Sequence, residues 1–389
     1  MKGKIYGLIF CLLIVMTACS QETTNSDGSE NKVNDTVTEA TTQVQYEMPS
    51  DLIRSESTVI DDSKTKRIIT SQDSYQIGTY IKISIYADKE VPTSIFDELF
   101  YTIDRYEKSI STSIASSEIS KVNKAAGKSP VVVSDALWEL IQKGIVYGDV
   151  SEGKFDITIE PLVELWGIGS DHASIPSEEE IQQAISLIDY KRLVLNETEH
   201  SVFLPEEGMG IDLGAIAKGF IADELKQIII ARGYEHAIIN LGGNVLTVGH
   251  KPNSDTWSVG VRDPQGGQTD ILGILYLKDN SIVSSGVYER FFEEGGVRYH
   301  HILNPFTGYP EQNHMQAISI ISEKSVDGDG LSTSLFAMGL KEAYAYASTR
   351  NDIEVLFITD DNKVYYTDGL KEIFTLTNTL YEEVGKYEE

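Results

Sequence analysis

The sequence predicts a mixed α/β (α+β) domain with antiparallel-rich sheets and packed helices. Amphipathic helical patterns are prominent in the first part of the folded region, and strand patterns dominate after Ala237. The two kinds of segment do not alternate in the strict βαβ order of a doubly wound sheet. With 389 residues, 41% of them hydrophobic and 24% charged, the chain can bury a large soluble core.

Composition also restricts the partners. The formal net charge of -28 makes nucleic acid and anionic lipid unfavourable electrostatic partners. The chain has two cysteines, Cys11 and Cys19, and Cys11 lies in a segment that resembles a signal peptide. The mature chain would then contain no disulfide, no Cys-ligated metal and no thiol nucleophile.

The N-terminus predicts a lipoprotein signal peptide over residues 1–18. Lys2 and Lys4 precede an apolar run over 6–16 that is too short to span a bilayer comfortably. The run ends in the sequence MTAC, which resembles a lipobox and predicts cleavage before Cys19. Acyl chains on Cys19 would anchor the protein on the extracytoplasmic face of the cell membrane. An ordinary secretory signal is the alternative.

Residues 19–65 are rich in Ser, Thr, Asn, Asp, Glu and Gln. Such a segment buries too little apolar surface to fold, so we expect a flexible polar tether followed by one folded domain over 66–389.

Hydrophobic periodicity and capping residues locate the elements of that domain. The predicted helices cover 92–109, 135–147, a segment that opens at the capping box of Ser177 and Glu180, 215–231, 331–338 and 341–348. The predicted strands cover 75–86 (a pair or one long strand), 192–194, 201–204, 211–213, several segments between 237 and 322, 354–359 and 363–366.

The sequence DGLST places Asp329 and Thr333 four residues apart, on one face of a helical turn. A carboxylate and a hydroxyl are suitable ligands for Mg²⁺ or Ca²⁺, which bind oxygen. The alternative interpretation, which spacing alone favours, is that Asp329 is a helix N-cap and Thr333 an ordinary residue.

Residues 210–220, GIDLGAIAKGF, form a glycine-rich junction between a predicted strand and a helix. Free N–H groups at a helix N-terminus bind anions, and Lys218 could add a positive charge. Alternatively, the glycines make a tight turn and Gly219 allows close packing of the helix on a sheet. A second glycine turn, NLGGN at 240–244, lacks the GxGxxG fingerprint, so a Rossmann site is not expected.

His300 and His301 end a predicted strand, and a histidine can remove a proton from a hydroxyl. Ser284, Ser285 and Gly286, followed by Tyr288 and Arg290, offer hydroxyls, an aromatic face and a guanidinium to a phosphate or a flavin edge. The alternatives are a structural histidine and a hairpin with a Tyr–Arg stack. The sequence contains no HExxH, P-loop or GxSxG motif.

Together these motifs resemble the ApbE-type flavin transferases, or FAD:protein FMN transferases, over about residues 78–340. The resemblance implies an ApbE-like, T-fold-like flavin transferase domain. The sequences that carry it are IGTY at 77, SEISKVN at 117, FDITIEPLVELWGIG at 155, GIDLGAIAKGFIAD at 210, NLGGN at 240, VRDP at 261, SSGVYERFF at 284, HHILNPFTGYP at 300 and DGLSTSLF at 329. Ile77 and Asn304 depart from the usual Met and Asp of the family.

The resemblance also implies the chemistry. Such proteins take FAD as substrate and use Mg²⁺ (Ca²⁺ and Mn²⁺ being alternatives) to transfer FMN to a Thr hydroxyl of an acceptor flavoprotein, with release of AMP. The implied metal ligands are Asp329, Thr333 and the backbone carbonyl of Ala217; His301 would be the general base, and Asp223 would lie near the adenosine ribose. The implied FAD-binding residues are Thr79, Glu118, Asp156, Lys218, Asp223, Gly242, Gly243, Ser285, Gly286, Tyr288 and Arg290. An FAD pyrophosphatase and a non-enzymatic flavin-binding lipoprotein are the alternative functions.

Overall fold

The computed structural model describes Tyr46 and residues 52–388. The predicted signal peptide over 1–18 and the proposed lipid-bearing Cys19 lie outside the described residues. Within the described part, no helix is both long and apolar enough to cross a membrane.

Most of the strands belong to one large antiparallel-rich sheet. The α-helices of the described part are α1 (Thr93–Ile110), α2 (Glu118–Lys124), α3 (Asp135–Val150), α4 (Glu160–Trp166), α5 (Glu178–Ser186), α6 (Gly214–Ala231), α7 (Ser325–Met338) and α8 (Leu340–Ser348). The strands are β1 (Thr58–Asp62), β2 (Arg67–Gln76), β3 (Thr79–Ala87), β4 (Val131–Val132), β5 (Val194–Asn196), β6 (Ser201–Phe203), β7 (Ala237–Leu241), β8 (Asn244–Val248), β9 (Trp257–Arg262), β10 (Ile271–Leu277), β11 (Ser281–Gly286), β12 (Phe291–Glu294), β13 (Val297–His300), β14 (Met315–Ser322), β15 (Ile353–Thr359), β16 (Lys363–Tyr366), β17 (Phe374–Leu376) and β18 (Glu382–Gly385).

The large sheet has the strand order β1-β2-β3-β7-β8-β11-β14-β15-β16-β18, and the smaller sheets are β17-β10-β9, β12-β13 and β4-β6-β5. Neighbouring strands are antiparallel except β16 and β18, which are parallel. Helices pack on this framework, so the predicted mixed α/β class with antiparallel-rich sheets is confirmed.

The folded domain begins earlier than the predicted boundary at residue 66. β1 pairs with β2 along its whole length, and Arg54 forms a bridge with Ser74. β1 lies at an edge of the sheet and is largely exposed. Backbone hydrogen bonds can hold such an edge strand without an apolar face, so a polar composition does not exclude it. The predicted tether over 19–65 is therefore wrong for its last residues.

The predicted strand at 211–213 is also wrong. The side-chain amide of Asn123 accepts from the Ile211 N–H at 2.8 Å and donates to the Ile211 carbonyl at 3.0 Å. The Asp212 N–H donates to the Ile157 carbonyl at 2.9 Å. One side chain and one loop carbonyl thus replace a neighbouring strand, and the segment leads directly into α6.

α7 begins at Ser325, well before the predicted start at Leu331. Its first turns contain the sequence DGDG, and both aspartate and glycine have low helix propensity, which conceals the start in the sequence. Asp329 consequently lies inside the helix. The interpretation of Asp329 as an N-cap is wrong.

Several local predictions are confirmed. α1 matches the predicted helix at 92–109, and the capping box of α5 is present, with the Ser177 N–H donating to Glu180 at 2.9 Å. The segment at 75–86 is a strand pair, because the chain turns at Ile77 and Gly78 between β2 and β3. The strand predicted at 192–194 forms two residues later, after a 3₁₀ turn at Tyr190–Arg192.

Close packing of α6 against α7 determines where the chemically important residues lie. A Cβ at Gly219 would lie 2.3 Å from the Ser325 carbonyl oxygen, so only glycine permits this approach. The predicted packing role of Gly219 is confirmed, with a helix instead of a sheet as the neighbour. The approach brings the N-terminal turns of α6 beside the second turn of α7, where Asp329 lies.

Candidate active site

Asp329 is the most constrained residue of the candidate site. Its side chain is 3% exposed. The Gly219 N–H of α6 donates to Oδ2 at 2.5 Å, and the Asn244 side-chain amide at the start of β8 donates to Oδ1 at 2.5 Å. Burial raises the pKa of the Asp329 carboxyl, while the nearby Lys218 charge and these two hydrogen bonds act in the opposite direction. The site thus holds a desolvated carboxylate with one free lone pair on each oxygen.

Thr333 lies one helical turn after Asp329 and is half-buried. The neighbouring Ser332 and Ser334 hydroxyls donate to helix carbonyls, at 2.9 and 2.7 Å. No hydrogen bond is found for the Thr333 hydroxyl within the part of the chain that the structure describes. The pair therefore presents a carboxylate and an uncommitted hydroxyl at helical spacing, as the sequence predicts.

This donor set fits a hard divalent cation. Among the described residues, no group of three or more His, Cys, Asp and Glu could hold a metal ion. A site with one carboxylate would therefore complete its ligands with hydroxyl, carbonyl or substrate oxygens. Ala217 precedes Gly219 by two residues in α6, and Gly219 contacts Asp329 directly, so the Ala217 backbone lies in the same part of the fold.

The structure distinguishes the two adjacent histidines. His300 is 3% exposed; its Nε2 donates to the Glu311 carbonyl at 2.9 Å, and its Nδ1 accepts from the Ile302 N–H at 3.3 Å. Both ring nitrogens of His300 are therefore used in hydrogen bonds to the backbone. The Nδ1 of His301 donates to the Arg290 carbonyl at 3.3 Å, and no partner for its Nε2 is found among the described residues. That tautomer leaves Nε2 as the proton acceptor.

Burial lowers the pKa of His301 to about 3, and the Arg290 and His300 charges act in the same direction. His301 as a whole is half-buried. His301 is therefore neutral at physiological pH in the protein without substrate, which is the state that a general base requires. His300, the structural alternative, is a satisfied core histidine.

Lys218 connects the histidine with the carboxylates. Its charge acts on Asp329, Asp212 and Glu289, and also on His301, so these residues share one neighbourhood. Burial raises the pKa of Asp212 and Glu289, although solvent reaches Glu289. Several titratable groups with partial solvent access are thus gathered around Lys218. Within the described residues, no carboxylate lies within 4 Å of the Lys218 ammonium, which leaves this cation available to an anionic ligand.

Arg290 lies beside two glycines and close to His301. A Cβ at Gly78 would lie 3.6 Å from the Arg290 guanidinium, and a Cβ at Gly169 would lie 3.3 Å from its Cδ. Arg290 is exposed, and the described residues include no salt-bridge partner for it. Two cations, Lys218 and Arg290, thus flank His301, as a ligand with phosphate groups requires.

Four further predicted FAD-binding residues are Thr79, Gly242, Gly243 and Ser285. Thr79 contacts the turn of Gly242 and Gly243, where a Cβ at Gly242 would lie 2.0 Å from Thr79 Oγ1. Both glycines have positive φ. Ser285 joins β11 to α7 through a hydrogen bond to the Ser332 hydroxyl at 2.8 Å. These residues adjoin the elements that carry Asp329.

The ring of Tyr288 packs on Gly286, where a Cβ would lie 2.4 Å from it. The cation stacked on Tyr288 is Arg262, at 4.6 Å, and not Arg290 as the hairpin alternative expected. No cation–π contact with Tyr288 therefore occupies Arg290.

Three of the predicted carboxylates hold the fold with both of their oxygens. Glu118 accepts from the Ser109 hydroxyl and the Ser134 N–H, which ties α1 and α3 together. Asp156 accepts from the N–H groups of Thr158 and Tyr190. Asp223 accepts from the Ser325 N–H at 2.8 Å and the Val326 N–H at 3.0 Å and so caps α7. Their contact with FAD stays a prediction.

Sequence reasoning missed three residues near Asp329 and Lys218: Asn244, Asp212 and Glu289. Each lies within a quoted motif, NLGGN, GIDLG or VYER. The sequence feature that could have predicted each of them is a polar side chain close to the glycines of its motif or, for Glu289, next to Arg290.

Because the capping residue Lys324 of α7 supplies no side-chain hydrogen bond, Asp223 replaces it from α6. We expect Asp223→Ala to lower the free energy of unfolding by about 1 kcal/mol, a typical cost of losing a helix cap. Asp223→Asn retains one acceptor oxygen and should cost less. Urea unfolding monitored by circular dichroism measures both. Unchanged stability together with a raised KM for FAD would show instead that Asp223 acts on the substrate.

The comparisons with known proteins identify the family of this chain. A model described as the ApbE family matches residues 77–357. The FAD:protein FMN transferase of Klebsiella pneumoniae (strain 342) is 35% identical over 316 residues, which cover 81% of this chain and 97% of the relative. That of Treponema pallidum (strain Nichols) is 34% identical over 311 residues, with coverage of 76% and 85%.

Solved structures show the same fold. The ApbE protein of Thermotoga maritima superposes with a TM-score of 0.72 at 28% identity and covers 82% of this chain and 99% of its own. The apo form of the flavinyl transferase ApbE of Pseudomonas stutzeri gives a TM-score of 0.70 at 25% identity, with coverage of 80% and 98%.

Proposed function

This chain belongs to the ApbE family and is a FAD:protein FMN transferase, and we propose that it moves FMN from FAD to a Thr hydroxyl of acceptor flavoproteins with release of AMP. In this proposal, Mg²⁺ is bound at Asp329 and Thr333. The observation that carries this proposal is the shared neighbourhood of Lys218, His301 and Asp329. A neutral imidazole and a desolvated carboxylate that both feel the Lys218 charge support the proposal.

Each of these residues has a role in the proposed reaction. The acceptor hydroxyl attacks the phosphorus of the FMN half of FAD, a new O–P bond forms, and the P–O bond to AMP breaks. His301 accepts the hydroxyl proton at Nε2, while its Nδ1–H stays on the Arg290 carbonyl. Lys218 and Arg290 attract the phosphate oxygens. The cation, when bound, neutralises charge on the pyrophosphate and on the leaving AMP.

The residues around the proposed metal position favour a cation of this kind. The two donors on Asp329, the Gly219 N–H and the Asn244 amide, are both neutral, so they orient the carboxylate without cancelling its charge. In the described part of the chain, no Lys or Arg forms a salt bridge with Asp329. Ca²⁺ and Mn²⁺ also bind oxygen ligands and are the alternatives to Mg²⁺.

The direct test supplies purified protein with FAD, Mg²⁺ and a Thr-containing acceptor. We expect the acceptor to gain the mass of one FMN minus water, and we expect AMP release to depend on the acceptor. AMP release that is independent of the acceptor would identify an FAD pyrophosphatase instead. The absence of an adduct with Mg²⁺, Mn²⁺ and Ca²⁺ alike would contradict transfer.

We also propose that acyl chains on Cys19 hold the enzyme on the extracytoplasmic face of the membrane. The support is the lipobox-like sequence MTAC and the polar segment that follows it. Cys19→Ala should move the protein from the membrane fraction to the soluble fraction of the host. An unchanged membrane fraction would contradict the anchor.

A further inference from the structure

Asn244 contacts the proposed metal ligand directly, although no role follows from its type alone. It is 3% exposed, and its side-chain amide lies 2.5 Å from Asp329 Oδ1. A carboxylate only accepts hydrogen bonds, so the Nδ2 of Asn244 must face it. Together with the Gly219 N–H on Oδ2, this contact fixes both oxygens of one carboxylate from two different elements.

The backbone of Asn244 belongs to the large sheet. Asn244 is the first residue of β8 and pairs with Leu241 across the turn of Gly242 and Gly243. β8 lies between β7 and β11 inside the large sheet. A donor on a central strand holds its partner with less freedom than a donor on a loop. Asp329 is therefore oriented by the sheet as well as by its own helix.

The chemical type of Asn244 also matters. A Lys or Arg at this position would neutralise Asp329 and weaken its attraction for a cation. An apolar residue of similar size would leave Oδ1 desolvated without a partner and free the side chain to rotate. A neutral amide donor restricts the rotation of the Asp329 carboxylate. It leaves the negative charge of Asp329 unchanged and one lone pair free on each carboxylate oxygen.

We propose that Asn244 is a positioning residue that holds the Asp329 carboxylate in its metal-binding orientation. This inference rests on the proposed metal site at Asp329 and Thr333. Partners that orient a metal ligand typically contribute about 10- to 100-fold to metal affinity. Loss of the Asn244 amide should therefore weaken metal binding in the protein even without FAD.

The test compares Asn244→Leu with the wild type. Leu is similar in size but cannot donate a hydrogen bond. We expect the dissociation constant for Mn²⁺ alone, measured by electron paramagnetic resonance without FAD, to rise about 10- to 100-fold. The Mg²⁺ concentration that gives half-maximal transfer should rise in parallel, while the rate at saturating Mg²⁺ falls much less.

Asn378→Leu is the matched control. Asn378 also donates its amide to a carboxylate, that of the buried Asp263, at 2.8 Å, but this pair is no part of the proposed metal site. It should lower the thermal midpoint without changing the Mn²⁺ affinity. If Asn244→Leu does not fold, Asn244→Ser carries the same expectation, because its shorter side chain cannot reach Asp329 as the amide does.

Two outcomes would overturn the inference. A folded Asn244 variant with the wild-type Mn²⁺ affinity would show that Asn244 does not position Asp329, while leaving the proposed function intact. A wild-type protein that transfers FMN but binds no Mn²⁺ and needs no divalent cation would remove the metal site itself. A weakened Mn²⁺ affinity in the Asn244 variant alone would support the inference.

Discussion

Replacing His301 with Ala is expected to lower the rate of FMN transfer by about 10²- to 10⁴-fold, the usual contribution of a general base. His301 has an Nε2 without a partner among the described residues, and its ring is held by the Arg290 carbonyl. Without it, the acceptor hydroxyl must lose its proton to water. Flavin fluorescence of the acceptor on a denaturing gel, followed over time, gives the rate.

The matched control is His300→Gln. His300 uses both nitrogens inside the fold, so this change should lower the thermal midpoint but leave the transfer rate of the folded protein close to that of the wild type. FAD binding should persist in His301→Ala, because Lys218 and Arg290 remain. A His301→Ala enzyme that transfers FMN at about the wild-type rate would refute the assignment of the base.

The pH dependence follows from the same environment. An ordinary histidine has a pKa of about 6.5 and becomes protonated as pH falls through that value. Burial lowers the pKa of His301 to about 3, so it stays neutral until the pH is far lower. Protonation of His301 should therefore not reduce kcat/KM for FAD between about pH 8 and about pH 5. The unfolded chain binds a proton on His301 at about pH 6.5, whereas the folded protein binds it only near pH 3. The free energy of unfolding should therefore be unaffected by His301 above about pH 6.5 and should fall as the pH drops from about 6.5 towards 3.

Replacing Asp329 with Ala is expected to abolish Mg²⁺-dependent transfer, with a loss of about 10³-fold or more. A bound cation supplies several kcal/mol of charge stabilisation, and each 1.36 kcal/mol corresponds to about tenfold in rate. The measurement is the transfer rate at increasing Mg²⁺, together with the thermal midpoint with and without Mg²⁺. The wild type should be stabilised by Mg²⁺, and the variant should not.

Folding of the Asp329 variant needs its own check. The change leaves the Gly219 N–H and the Asn244 amide buried without a partner, at a cost of about 1–3 kcal/mol for each group. Asp327→Asn is the control, because Asp327 lies in the same helix but accepts from the Tyr147 hydroxyl at 2.8 Å instead of from Gly219 and Asn244. Undiminished Mg²⁺-dependent transfer in Asp329→Ala would refute this metal site.

The sequence alone predicted the parts of the fold that depend on neighbouring residues. The capping box of Ser177 and Glu180 and the amphipathic face of α1 are local patterns, and both elements form where expected. Asp329 and Thr333 share one face of α7, as their spacing predicted, because the helical repeat determines which residues lie on the same face. The order of the motifs likewise led to the family that the comparisons show.

Only the tertiary structure decided which side chains act and which hold the fold, because their partners lie far away in the chain. Asp329 accepts hydrogen bonds from Asn244 and Gly219, which are 85 and 110 residues distant in the chain. Asp223 ends as the cap of a helix 102 residues away, and His300 and His301, adjacent in sequence, separate into a core residue and a candidate base. A residue type limits the hydrogen bonds that a side chain can make, but folding chooses the partner.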